Sequence, residues 1–218
     1  MYRHVLRIPT VIAWFAAVIL AVTPAVWASA PSSEFQYLRD VTVKVGGGSG
    51  VKIQADYVLT AQHVVEGFNF IRVDKKYDGR VVYQDANRDL ALLYVDGLNC
   101  PCIDVIEKRP AVDTPVIAVG FPMFDSLGVQ FLTEGRFMGV IDNIFEPVVH
   151  GKYAHSAPIY FGNSGGGLYV KDALRNTWML LGVNILSFGY DVPAQHLAGA
   201  VGNEEIRKFL INYWMQGK

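Results

Sequence analysis

Apolar and polar residues alternate with a period of two along most of this chain, and turn-forming residues interrupt it roughly every eight to twelve positions. That pattern admits an all-β barrel or sandwich and little else. In the first half it predicts strands at Val41–Val45, Val51–Gln54, Tyr57–Thr60, Phe70–Val73, Arg80–Gln84 and Leu90–Val95. The stretch Asn99–Pro115, broken by Pro101, Pro110 and Pro115, reads as a connection. The second half gives Val116–Gly120, Gln130–Gly139, Pro147–Tyr153, Gly167–Val170, Trp178–Ile185 and Leu197–Val201. Six and six suit two packed six-stranded antiparallel barrels, residues 31–110 and 111–202. Residues 203–218 differ in kind. Asn203 can cap a helix, Glu204 and Glu205 favour its positive end, and Ile206, Phe209 and Leu210 make an apolar face. This closing helix is expected on the second barrel.

Three residues stand out against this background. His63 follows Thr60-Ala61-Gln62, Asp89 opens Asp89-Leu90-Ala91-Leu92-Leu93, and Ser164 lies in Phe161-Gly162-Asn163-Ser164-Gly165-Gly166-Gly167. Each has a plain reading: a turn cap, a loop residue before a strand, a glycine-rich turn. Together, in this order, they suit nucleophilic catalysis. A serine hydroxyl attacks only when an imidazole takes its proton, and a carboxylate on the other ring nitrogen fixes the tautomer. The N–H groups of Gly162 and Ser164 would receive the oxyanion, each such donor being worth about 3–4 kcal/mol of barrier. Gly162 permits a backbone conformation closed to other residues, while Gly165 and Gly166 are expected to keep the approach to Ser164 open.

On these residues the chain resembles the trypsin-like (chymotrypsin-fold) serine proteases, nearest the HtrA/Deg type and its single-domain bacterial or phage relatives. Gly48-Ser49-Gly50-Val51 with Tyr57–Val65 looks like the approach to the catalytic histidine. The stretch starting at Asp89 is similar to the aspartate strand, Gly162–Gly166 to the nucleophile turn, and Leu181-Gly182-Val183-Asn184 to the strand after it. The likeness covers residues 36–213. It implies a triad of His63, Asp89 and Ser164 in a cleft between barrels, an acyl-enzyme mechanism and endopeptidase action on flexible or unfolded polypeptides. Homo-oligomers, trimers among them, are also implied. Gly167 departs from the proline of many relatives, which would loosen the strand entry. Asn163 replaces the aspartate that switches on the digestive zymogens, so activation by that ion pair is not expected. The family's usual PDZ domain is not expected after Lys218.

The side chain before the scissile bond should meet Ala157, Pro158, Ile159, Tyr160 and Phe161, with a substrate strand along Ser187-Phe188-Gly189. No acidic residue lies just before Ser164, which favours a small or medium apolar side chain over Lys or Arg. His155 or His196 would instead favour an acidic one, unless each is a surface or turn histidine.

Arg3 and Arg7 precede an apolar run, Val11–Val22, followed by Pro24 and Ala28-Ser29-Ala30. This is the layout of a secretory signal peptide cleaved after Ala30, with an uncleaved membrane anchor through residues 11–22 as the alternative. The expected location is extracytoplasmic, periplasmic or secreted. Removing the leader takes the formal charge from −1 to −3, and no basic cluster offers a footprint for nucleic acid. Cys100 and Cys102 are too close for a redox CxxC; they stand as two thiols or as a strained bridge. With no metal-ligand cluster and no phosphate loop, no cofactor is expected.

Two rival classes remain. Gly162–Gly166 also fits the G-x-S-x-G elbow of α/β-hydrolase esterases, with Asp191 and His196 downstream, but βαβ alternation is missing. The other is an inactive protease-fold module that only holds peptides.

Overall fold

In a computed structural model, residues 33–122, 128–141, 151–187 and 197–217 are described. They lie in a unit spanning Pro31–Lys218; Met1–Ala30, with the expected leader, falls outside the described residues. The chain opens with helix α1 (Ser33–Val41), then β1 (Thr42–Val45), β2 (Gly48–Gln54) and β3 (Tyr57–Thr60). A single helical turn, α2 (Gln62–Val65), leads to β4 (Phe70–Val73), β5 (Tyr77–Asp85) and β6 (Leu90–Val95). The second half comprises β7 (Pro115–Gly120), β8 (Phe131–Ile141), β9 (Lys152–His155), β10 (Gly167–Asp172), β11 (Thr177–Ser187) and β12 (Ala198–Gly202). Helix α3 (Asn203–Gln216) follows. The strands close into two antiparallel six-stranded barrels, ordered β1-β2-β3-β6-β5-β4 and β10-β11-β12-β9-β8-β7. The all-β, two-barrel expectation holds, and an α/β-hydrolase is excluded.

Alternation decides which residues fill which layer. On β6, Ala91, Leu93 and Val95 point into the first barrel, while Leu90 and Leu92 face the packing layer between barrels. Both faces are buried, so the strand reads as one apolar run. On β10, Leu168 and Val170 fill the second barrel and Tyr169 enters the shared layer. A bulge against β10 leaves Leu181 unpaired, so Leu180 and Val183 reach the shared layer while Leu181 stays inside. The connection is pinned to both halves: Ile103 N–H donates to Lys52 O, and Leu180 N–H to Asp104 O. Within it Cys100 and Cys102 are bridged.

Several local expectations are corrected. Val41 ends a helix rather than starting a strand, and α1 was not anticipated. β9 runs to His155, two residues past the predicted end. Asn203 does not cap α3; Gly202 holds that position. The Asn203 side chain is buried instead, accepting from Tyr153 O–H at 2.6 Å and donating to the carbonyls of Ile106 and Glu107. Nor does α3 rest on the second barrel alone. Phe209 and Tyr213 pack at a tilt on Tyr83, and Tyr213 and Trp214 meet Tyr57 edge-on, both Tyr83 and Tyr57 being residues of the first barrel. The helix therefore spans the two barrels.

Replacing Asn203 with Ala strands the Tyr153 hydroxyl and the Ile106 carbonyl in the interior and releases the part-buried Glu107 carbonyl. Urea unfolding should show a loss of about 2–3 kcal/mol, more than an exposed helix position would give.

Candidate active site

His63 sits on α2, directly after β3 delivers the chain to the inter-barrel face. Its Nδ1 lies 2.8 Å from Asp89 Oδ2 and 3.0 Å from Oδ1, and its main-chain N–H also donates to Oδ1 at 3.0 Å. The carboxylate thus holds both the ring and the backbone of one residue. The imidazole remains 42% exposed while the Asp89 side chain is 16% exposed. The Asp89 hydrogen bond raises the His63 pKa above its ordinary value; partial burial opposes this, and the charges of Asp89 and Glu66 add to it.

The turn that presents Asp89 is built locally. Asp85 Oδ1 accepts from the N–H groups of Asn87 and Arg88, and Asp89 takes a left-handed conformation with φ 53°. Arg88 anchors it from outside: its guanidinium bonds Asp85 and, at 2.8 Å, Glu205 of α3. Burial would raise the Glu205 pKa, but the bonds from Lys208 and Arg88 outweigh it and hold the carboxyl below its usual range.

Ser164 reaches this cleft from the second barrel. Its carbonyl accepts from Ser49 N–H at 2.8 Å, and the Ser49 hydroxyl donates to Gly162 O at 2.7 Å. Asn163 N–H closes onto Tyr160 O, and Gly166 N–H onto Asn163 O. Among the described residues, the N–H groups of Gly162 and Ser164 have no acceptor, and Ser164 Oγ has no hydrogen-bond partner. Gly162 has φ 95°, a backbone conformation that favours glycine.

Gly165 and Gly166 do not open the approach to Ser164, as expected from sequence; they seal the turn's other side. A Cβ on Gly165, at φ 85°, would lie 2.1 Å from Ser49 O and 2.2 Å from Thr60 Oγ1. A Cβ on Gly166 would lie 2.3 Å from Val119 O. Gly167 also has a positive reason. The Tyr169 ring folds back over it, 2.1 Å from where a Cβ would be, and Tyr169 O–H bonds Thr42 Oγ1 of the first barrel at 2.6 Å. Proline would collide with that ring. The loosening expected from its absence is replaced by a buried tyrosine strut between barrels.

Of the expected pocket residues, Ala157 and Ile159 pack into the second barrel's core. Pro158 is half-buried, its carbonyl accepting from Thr133 Oγ1. Tyr160 is half-buried, and Phe161 is 74% exposed beside the nucleophile turn. Ser187 ends β11, paired with Ala198. Phe188, Gly189, Asp191 and His196 lie outside the described residues. His155 is neither a surface nor a turn histidine: it is fully buried on β9, with Nε2 3.1 Å from Asn184 Oδ1.

A family model of the trypsin-like peptidase domain matches residues 48–174. The serine protease Rv3671c of Mycobacterium tuberculosis is 31% identical over 155 residues, covering 66% of this chain and 38% of that protein. Serine protease Do-like HtrB of Bacillus subtilis is 31% identical over 199 residues, covering 74% and 41%. A "Probable periplasmic serine endoprotease DegP-like" of Pseudomonas putida is 32% identical over 129 residues, covering 56% and 26%. The chain thus spans 26–41% of the length of these relatives. Among solved structures, the active form of Rv3671c superposes with TM-score 0.66 at 25% identity, covering 82% of this chain and 83% of that one. The serine endoprotease from Yersinia pestis gives TM-score 0.66 at 25% identity, covering 86% and 69%.

The tyrosine strut makes a specific energetic prediction. Gly167→Ala should lose about 1–3 kcal/mol in chemical denaturation through overpacking. In a Tyr169→Val background the same substitution should cost far less, giving a measurable coupling between the two sites.

Proposed function

The chain belongs to the trypsin-like peptidase domain family, and from that premise we propose that it is a serine endopeptidase. Ser164 is the nucleophile, His63 the general base and Asp89 the residue that orients His63. The N–H groups of Gly162 and Ser164 form the oxyanion hole. One observation supports this reading: an imidazole is already held by a carboxylate, and among the described residues the nucleophile turn leaves two N–H groups without acceptors beside an unbonded serine hydroxyl. His63, neutral and with Nδ1–H on Asp89, has Nε2 available to take the serine proton. Attack on a peptide carbonyl forms the acyl-enzyme as His63 returns the proton to the leaving amine, and water then releases the acid. The N–H pair stabilises the developing oxyanion in each half-reaction.

The substrates are flexible or unfolded polypeptides in an extracytoplasmic space, in keeping with the periplasmic relative and the apolar leader. Pro158 and Phe161 border the pocket for the side chain before the scissile bond. Ile159 packs beneath it, and Ser187, Phe188 and Gly189 offer the edge on which the substrate strand adds. An apolar side chain suits these surroundings. A second reading, a protease-fold peptide binder, draws on the missing Ser164–His63 hydrogen bond. That bond is often long or misaligned before substrate arrives, so the endopeptidase reading stands ahead.

A fluorophosphonate probe should label the wild-type chain but neither Ser164→Ala nor His63→Ala, and wild type alone should digest casein. A folded wild type that resists the probe would leave the peptide binder. Acidity supplies a second check. His63 must be neutral to act, and its pKa is raised by Asp89, so kcat/KM should fall with decreasing pH at a midpoint above the ordinary histidine value. Asp89→Asn should move that midpoint down and reduce kcat by about 10⁴.

A further inference from the structure

Two buried polar residues of the second barrel have no part in the chemistry assigned above. His155 ends β9 and Asn184 lies in β11, both wholly buried among apolar residues. β12 runs between their strands, with Ala198 opposite His155 and Ala200 opposite Asn184. Strands two apart in a sheet are separated by about 9.5 Å, so side chains meet across the middle strand only where it carries small residues. Ala198 and Ala200 leave that room, and His155 Nε2 reaches Asn184 Oδ1 at 3.1 Å.

Asn184 in turn holds the three residues that follow Ser164. Its main-chain N–H donates to Gly166 O at 2.8 Å and its carbonyl accepts from Gly165 N–H at 2.7 Å. Its side-chain Nδ2 donates to Gly167 O at 3.2 Å. Since Nδ2 faces a carbonyl, Oδ1 faces His155, and a ring nitrogen opposite an oxygen that only accepts must carry the hydrogen. Burial lowers the His155 pKa to about 4, outweighing the Asn184 hydrogen bond and the pull of the Ala157 backbone, which Nδ1 does not meet in hydrogen-bond geometry, so the ring is neutral near pH 7. Among the described residues its Nδ1 has no hydrogen-bond partner.

Resting on the endopeptidase reading, we infer that His155 is a positioning residue. As the Nε2–H tautomer it fixes the Asn184 amide, and through Asn184 the turn that aims Ser164 and its two N–H donors. It touches no substrate, which removes it as a recognition group for acidic side chains. An apolar replacement leaves Asn184 Oδ1 unpaired inside the barrel, and an inverted amide would set oxygen against Gly167 O. Either response loosens the carbonyl of Gly167, three residues from the nucleophile.

The test compares the purified full chain with His155→Leu and His155→Gln, the latter retaining an amide able to donate to Asn184 Oδ1. Fluorophosphonate labelling and peptide hydrolysis by His155→Leu should slow by about tenfold or more through kcat, with KM within about twofold. His155→Gln should recover most of the rate, a rescue that a merely space-filling role would not produce. Nitrogen-15 spectra of wild-type His155 should show Nε2 protonated and Nδ1 bare. This measurement decides the matter should His155→Leu fail to fold. A labelled wild type together with an unimpaired His155→Leu, no rescue by a folded His155→Gln, or an Nδ1–H tautomer overturns this inference alone. A wild type that fails to label overturns the endopeptidase reading and this inference with it.

Discussion

A single main-chain contact between the barrels governs the geometry of the cleft. Ser49 N–H donates to Ser164 O, and the Ser49 carbonyl presses against Gly165 so closely that no side chain fits between them. The Ser49 hydroxyl completes the link by donating to Gly162 O while accepting from Phe121 N–H. One small residue of the first barrel therefore touches the nucleophile turn on both sides and the end of β7 as well. Thr60 Oγ1 donates to Ser49 O at 2.6 Å between the paired strands β2 and β3, which ties the approach to His63 into the same frame. The nucleophile turn and the approach to His63 are thus tied through Ser49 by one backbone hydrogen bond and by the Ser49 and Thr60 hydroxyls.

Much of this architecture was legible because barrels impose a short, strict period. Each of the twelve strands was anticipated, in part because Val, Ile and Leu at alternate positions have one packed destination each. Strand ends were less legible, since pairing continues wherever a neighbour supplies partners, as β9 does in running to His155 beside Ala198. Helix α1 escaped notice because Phe35, Tyr37, Leu38 and Val41 form too short a periodic stretch to separate from a strand. Its reality depends on distant partners: Tyr37 O–H bonds Cys102 O, and Leu38 lies in the shared core.

The candidate site divides along similar lines. His63, Asp89 and Ser164 were visible because their local contexts are distinctive. The polar residues that hold them in place were not, since their partners are remote in sequence. In the sequence Asn203 reads as a cap because capping is the local use of asparagine; its actual partners, Tyr153 and Ile106, lie 50 and 97 residues away. In the sequence His155 reads only as a recognition group or a surface or turn histidine, because a fully buried neutral histidine leaves no mark on its neighbours. Gly167 looked like a missing proline. Tyr169, two positions on, was the available clue: a large side chain beside a glycine on one strand signals a ring that needs the space.

Arg88 ties the order of synthesis to the readiness of the site. Its guanidinium steadies the Asp85–Asp89 turn by reaching Glu205, a residue made after all twelve strands. While the chain is still on the ribosome, His63 and Asp89 emerge early, yet the turn carrying Asp89 lacks its outer anchor until α3 has formed and bridged both barrels. The geometry of the candidate site then becomes a property of both barrels and α3 together rather than of either barrel alone. In the proposed peptidase this delays the risk of self-cleavage until the chain has few flexible segments left to offer.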